Sequence, residues 1–232
     1  MKQIYRIFAL LLVSVMLFAF VSCGDDTPTD TNAPHNTVAY VADALKSSLP
    51  TKAVTQSTYV IDDLTLKGSA TLLVNRTGNI LDAKYEYRVE VLNPAGTTDI
   101  NGNPLMIGVI TDTKYSKGDM VASFNPETGD ATYSVYDVAN KLKGMAIPKD
   151  GSVTEAADGT VTLTAEVAAA DAESVFGVKI NATSSIRYTV TVKDGKLVQF
   201  SASYSTALGQ MTVQTDYSYA KVSFDVTAPE SN

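Results

Sequence analysis

The sequence predicts an α+β domain: an antiparallel sheet with one helix at its N-terminal end and short helical insertions. Three observations carry this. From residue 51 onward β-branched and aromatic residues dominate, broken by short turn signals. Within those stretches apolar and polar residues alternate, which gives a strand one dry and one wet face. Before them lies one segment with apolar residues at helical spacing, closed by Pro50.

Taken in order, the chain begins with Lys2 and Arg6, and from Ile7 to Val21 every residue is apolar except Ser14. Such a run makes a helix of about 22 Å, short of the ~30 Å of a bilayer core, so residues 1–22 read as a secretory signal. Phe20-Val21-Ser22-Cys23 then resembles a bacterial lipobox, with Phe20 standing where Leu is usual. That reading makes Cys23, the single cysteine of the chain, the lipidation site and anchors the protein to the membrane through acyl chains. Gly24-Asp25-Asp26 resembles the export tags of some Bacteroidota lipoproteins, but acidic linkers also occur in Gram-positive ones. The expected location is the periplasmic or cell-surface side of a bacterial membrane. Residues 23–36, rich in Thr, Pro, Asp and Asn, read as a flexible tether. Residues 37–229 then form one domain.

The helix is expected in "NTVAYVADALKSSL", capped by Asn36 or Thr37, with Val38, Val41, Leu45 and Leu49 on one face. "TLKGSATLLVN" and "ILDAKYEYRVEVL" form a hairpin. In its second arm Tyr85, Tyr87 and Val89 alternate with Glu86, Arg88 and Glu90. A second pair turns around Ser116-Lys117-Gly118, and "PETGD" leads into "ATYSVYD". Helical insertions are expected in "SVYDVANKLKG", stopped at Gly144, and in "AAADAESVFG". The last third reads as a meander of three or four strands joined by short turns such as "KDGK". Ile186, Tyr188, Val190 and Val192 begin its apolar face, expected to be concave, and Val222, Phe224 and Val226 form its last strand.

Composition excludes several chemistries. The formal net charge is −7, and losing Lys2 and Arg6 with the signal makes the mature chain two units more negative. An acidic chain without a basic cluster repels phosphate backbones, so no nucleic-acid partner is expected. After Cys23 no thiol remains, and the one histidine, His35, sits in the tether as a solvated residue. A Ser-His-Asp triad, a thiolate metal site or a His-based zinc site inside the domain therefore cannot be built. Neither metal nor cofactor is expected.

The carboxylates do not suggest a glycosidase pair. Asp62 and Asp63 are adjacent, so on a strand they point to opposite faces, and Glu86 and Glu90 flank Arg88 on a wet face. "DINGN" lacks the spaced ligands of a calcium loop and reads as an Asn-Gly turn. No catalytic residue is expected, and the chain reads as non-enzymatic.

The order of lipobox, tether, helix, long strands and the closing "RYTVTVKDGKLVQFSASYS … DYSYAKVSFDVTAP" resembles the LolA/LppX-type lipoprotein carriers. The resemblance implies a half β-barrel curled over internal helices on its concave side, enclosing an apolar cavity for acyl chains or whole lipids. The implied function is binding or carriage of a lipid or other amphiphile. Tyr188, Phe200, Tyr204, Met211 and Tyr217 are the candidates to line such a cavity, as core side chains that a guest can touch. The alternative is an envelope interaction protein whose sheet is only a scaffold and whose polar face or loops bind a protein.

Overall fold

The computed structural model describes residues 34–48, 50–61, 64–77, 80–92, 101, 106–117, 120–124, 131–135, 150–176 and 180–224. Helix α1 (Val38–Ser47) is capped by Thr37, whose hydroxyl accepts from the Tyr40 amide at 3.2 Å and donates to the Pro34 carbonyl at 2.9 Å. It buries Tyr40, Val41, Ala44 and Leu45 and partly buries Val38, the face its spacing predicts. Leu49 lies outside the described residues.

Among the described residues eleven strands follow: β1 (Lys52–Ile61), β2 (Leu64–Thr77), β3 (Ile80–Leu92), β4 (Met106–Lys117), β5 (Met120–Phe124), β6 (Ala131–Val135), β7 (Ser152–Glu155), β8 (Val161–Val167), β9 (Ile186–Lys193), β10 (Lys196–Ser205) and β11 (Gln210–Ser218). Between β8 and β9 lie a 3₁₀ turn (Ala169–Asp171) and the short helix α2 (Ala172–Phe176). They form one open sheet in the order β6-β5-β4-β3-β2-β1-β11-β10-β9-β8-β7, antiparallel throughout. Every neighbouring pair is consecutive in the chain except β1–β11, which joins the first strand to the last.

The turns follow the local signals. Asp194 (φ 51°) and Gly195 (φ 69°) take the two left-handed positions of the β9–β10 hairpin, as a type I′ turn requires. Lys117 pairs with Met120, so β4 and β5 turn where "SKGD" predicts. The register of β10 against β9 shifts between Leu197 and Gln199, a bulge beside Leu197, whose amide finds its partner outside the sheet. Ser48, just past α1, takes that amide on its hydroxyl at 2.9 Å, and the Tyr40 hydroxyl accepts from the Gly195 amide at 3.0 Å. These two bonds pin α1 to the β9–β10 hairpin.

Burial follows the alternation. On β1 Ala53, Thr55, Ser57, Tyr59 and Ile61 are buried, and on β11 Met211, Val213, Thr215 and Tyr217. The hydrophobic ones join those of β2, β8, β9 and β10, together with α1, Ala172 and Phe176, in one core.

Two expectations are corrected. Residues 219–224 are not a strand, so Val222 and Phe224 do not continue the meander, and Val226 lies outside the described residues. With β11 already paired on both sides, by β1 and β10, no place remains beside it for a further strand. Ser134 and Val135 belong to β6 rather than to a helix, because pairing with β5 outweighs their helical spacing. The rest of that expected insertion, Val138, Leu142 and Gly144 included, lies outside the described residues. Strands β1, β7 and β8 are further elements that the sequence reading does not delimit.

Candidate functional site

The register sorts the dry face into rows running across the strands. One row reads Gly68, Ser57, Val213, Ala202, Tyr188 and Ala165, on β2, β1, β11, β10, β9 and β8. The next reads Ala70, Thr55, Thr215, Phe200, Val190 and Leu163. Around β2, β1 and β11 the middle of this face is thus small and hydroxylic, while the bulk gathers on β9 and β10.

All five predicted lining residues lie on this face and belong to one core, with side chains between 0% and 7% exposed. The structure brings them together as packed core. Tyr188 and Phe200 stack at 6.1 Å between ring centroids, and Phe176 meets both edge-on, at 5.3 and 6.2 Å. Phe176 was not among the predicted lining residues; its position at the end of the Ala-rich insertion gave no sign of where that insertion docks.

Two hydroxyls in the first row lack partners. Ser57 Oγ and Tyr188 Oη are buried without a hydrogen bond, on residues 4% and 1% exposed. Burial raises the Tyr188 phenol well above its ordinary value, and it raises Tyr217 likewise. Tyr204 is pushed up to about 12, mainly by burial and secondarily by Tyr59. No phenolate is held ready here, so the face offers neutral hydroxyls and apolar surface rather than acid–base chemistry.

The wet face carries a depression of about 470 Å³ over β1, β11, β10 and β9. It is built from two polar rows: Thr58, Thr212, Ser203 and Arg187, and Gln56, Gln214, Ser201 and Thr189. Tyr188, Ala202 and Val213 contribute only backbone, because their side chains point to the core. The depression is thus a local feature of the polar face.

Glu86 and Glu90 form a charge-balanced wet surface, as expected. Lys84 Nζ lies 2.8 Å from Glu86 Oε1, and Arg88 Nε donates to Glu90 Oε1 at 2.6 Å. Asp62 and Asp63 lie outside the described residues, as do the signal segment and Cys23. His35 is not simply solvated: its ring stacks on Tyr40 at 4.7 Å and its Nδ1 lies 3.8 Å from Glu155 Oε1, with half its side chain exposed. Among the described residues no three His, Cys, Asp or Glu side chains cluster to hold a metal ion, and no helix is long and apolar enough to cross a membrane. No known family model and no curated protein matches the chain.

Proposed function

We propose that this chain is an envelope lipoprotein, anchored through acylated Cys23, that binds or carries a lipid or other amphiphile against the dry face of its sheet, without catalysis. One observation carries the reading: the row Gly68–Ser57–Val213–Ala202–Tyr188–Ala165, short in most of its side chains and holding two buried hydroxyls without partners. A buried hydroxyl left unpaired costs about 1–3 kcal/mol. A guest with ester, carboxyl or hydroxyl oxygens relieves that cost and lays its acyl chains on the neighbouring Met211, Tyr204 and Phe200. Each CH₂ so buried contributes ~0.8 kcal/mol. The half-barrel that the family resemblance implies would place the same face inward.

Phe176 is the natural gate. It sits on Tyr188 and Phe200 at the end of a five-residue helix. A helix that short is held by little besides its docking, so opening the face means undocking one buried aromatic rather than unpairing a strand. Residues 34–232, produced in bacteria and purified without detergent, are expected to show adducts of lipid mass in native mass spectrometry, lost under activation. Ser57→Ala with Tyr188→Phe is expected to reduce them. A clean unliganded mass after incubation with membrane extract would sink the reading.

A further inference from the structure

We infer that the depression on the wet face is a second ligand site, for a neutral polyhydroxylated molecule such as an oligosaccharide. The inference does not rest on the lipid reading, since the two sites lie on opposite faces of the sheet.

The depression of about 470 Å³ lies open to solvent rather than enclosed. The side chains that reach it are Gln, Ser and Thr with the one cation Arg187, and carbon makes up most of its surface. Gln56 and Gln214 stand opposite one another on paired strands, and Ser201 and Thr189 extend that row at strand spacings of ~4.8 Å. Thr58 and Ser203 flank it in the parallel row. Among the described residues the Gln56 carboxamide and the Thr58 and Ser203 hydroxyls have no hydrogen-bond partner, so their donors and acceptors stay available. Gln214 makes only long contacts to Asp216, at 3.3 Å.

No aliphatic or aromatic side chain points into the groove, so an acyl chain or apolar peptide meets only scattered methyl and methylene carbons and leaves the Gln56, Thr58 and Ser203 groups unpaired. Charge excludes other classes. The one cation of the groove, Arg187, is offset by Glu166, cross-strand from it at 3.8 Å, and the chain as a whole is acidic. A polyanion gains nothing here. Ring hydroxyls, each both donor and acceptor, match alternating amides and hydroxyls better than any charged group does.

The test applies the full chain, in a zwitterionic detergent without sugar groups, to an array of neutral and acidic oligosaccharides, then titrates the best binder. The expected result is binding of a neutral oligosaccharide that is insensitive to added salt. The Gln56→Ala/Gln214→Ala double variant is expected to weaken it roughly tenfold, and Ser203→Ala by a smaller factor. Both glutamines are surface residues, so the variant is expected to unfold at the wild-type temperature. Failure to bind any neutral oligosaccharide, binding confined to acidic ones, or undiminished binding by the folded double variant would each overturn the inference.

Discussion

Thr55 and Thr215 share a hydrogen bond of 2.9 Å between their hydroxyls, both residues fully buried and 160 positions apart in the chain. The bond lies where β1 meets β11, the one pairing in the sheet that links distant parts of the sequence. Thr215 also bonds the buried Tyr217 side chain. The first and last strands are thus joined by a small polar network inside an otherwise apolar layer, where an unmet hydroxyl is costly and a met one fixes register.

Thr215→Val is expected to destabilise the fold by about 2 kcal/mol, because it strands both Thr55 and Tyr217. Thr55→Val is expected to cost less, since Thr215 keeps Tyr217. The double variant Thr55→Val/Thr215→Val should cost less than the sum of the two. Urea denaturation measures all three, and strict additivity would refute the coupling.

Ser48→Ala removes the acceptor of the Leu197 amide, beside the β10 bulge. The expected loss is about 1–3 kcal/mol. Hydrogen exchange should report it locally, with faster exchange at Leu197 and in α1 than at the β1–β11 ladder. Equal acceleration everywhere would mean that α1 does not depend on this bond.

Gly209 has no room for a side chain, since a Cβ there would lie 1.9 Å from the Val60 carbonyl oxygen. Gly209→Ala must shift the backbone of the β10–β11 turn, where Gly209 accepts from the Thr206 amide at 2.8 Å. A loss of about 1–3 kcal/mol is expected. Gly159→Ala, at φ +78° with open space around it, should cost about 1 kcal/mol from backbone conformation alone. Thermal unfolding that ranks Gly159→Ala as the worse of the pair would contradict the close approach.

Alkaline pH should unfold the domain. Burial raises Tyr204 from 10.0 to about 12 and raises Tyr188 and Tyr217 in the same direction. A raised pKa means that the folded state keeps the proton which the unfolded state gives up. The resulting stability is complete below pH 10 and is lost as pH rises through about 12, on the order of 2 kcal/mol for Tyr204. Phenolate absorbance and circular dichroism should change together. A smooth titration of all tyrosines near pH 10 with the fold intact would refute buried phenols.

The acid side has the opposite sign. Lys193 and Thr160 hydrogen-bond Asp158 and lower its pKa from 3.8 to about 2. Its contribution is present above pH 3.8 and is lost as pH falls through about 2. The pair is exposed, so the effect is small and weakens with salt. Asp158→Asn should flatten the stability profile over that window, and an unchanged profile would show the pair to be idle.

Much of the molecule was legible in local pattern. The helix and its Thr37 cap, the hairpin turns at "KDGK" and "SKGD", and the dry residues of β9, β10 and β11 are all written at short range. A turn needs particular backbone angles, and a strand with one wet side needs alternation. Phe224 shows where the pattern misleads: alternation continues past β11, but both edges of β11 are already taken. Ser134 and Val135 fit a helical spacing and a strand equally, and only β5 beside them decides.

The sequence by itself determined which side of β9, β10 and β11 is dry, and therefore that Tyr188, Phe200, Tyr204, Met211 and Tyr217 share a face. It also determined that no thiol follows Cys23 and that the one histidine, His35, precedes the helix. Only the tertiary structure decided that β1 pairs with β11, that Ser57 and Tyr188 fall in one row without partners, and that Gln56 meets Gln214 across a depression on the polar side. Alternation has a period of two and carries no information about which distant strand lies alongside or in what register. That choice is made by the packing of the whole dry face and by buried bonds such as Thr55–Thr215, which form only when the two ends of the chain meet.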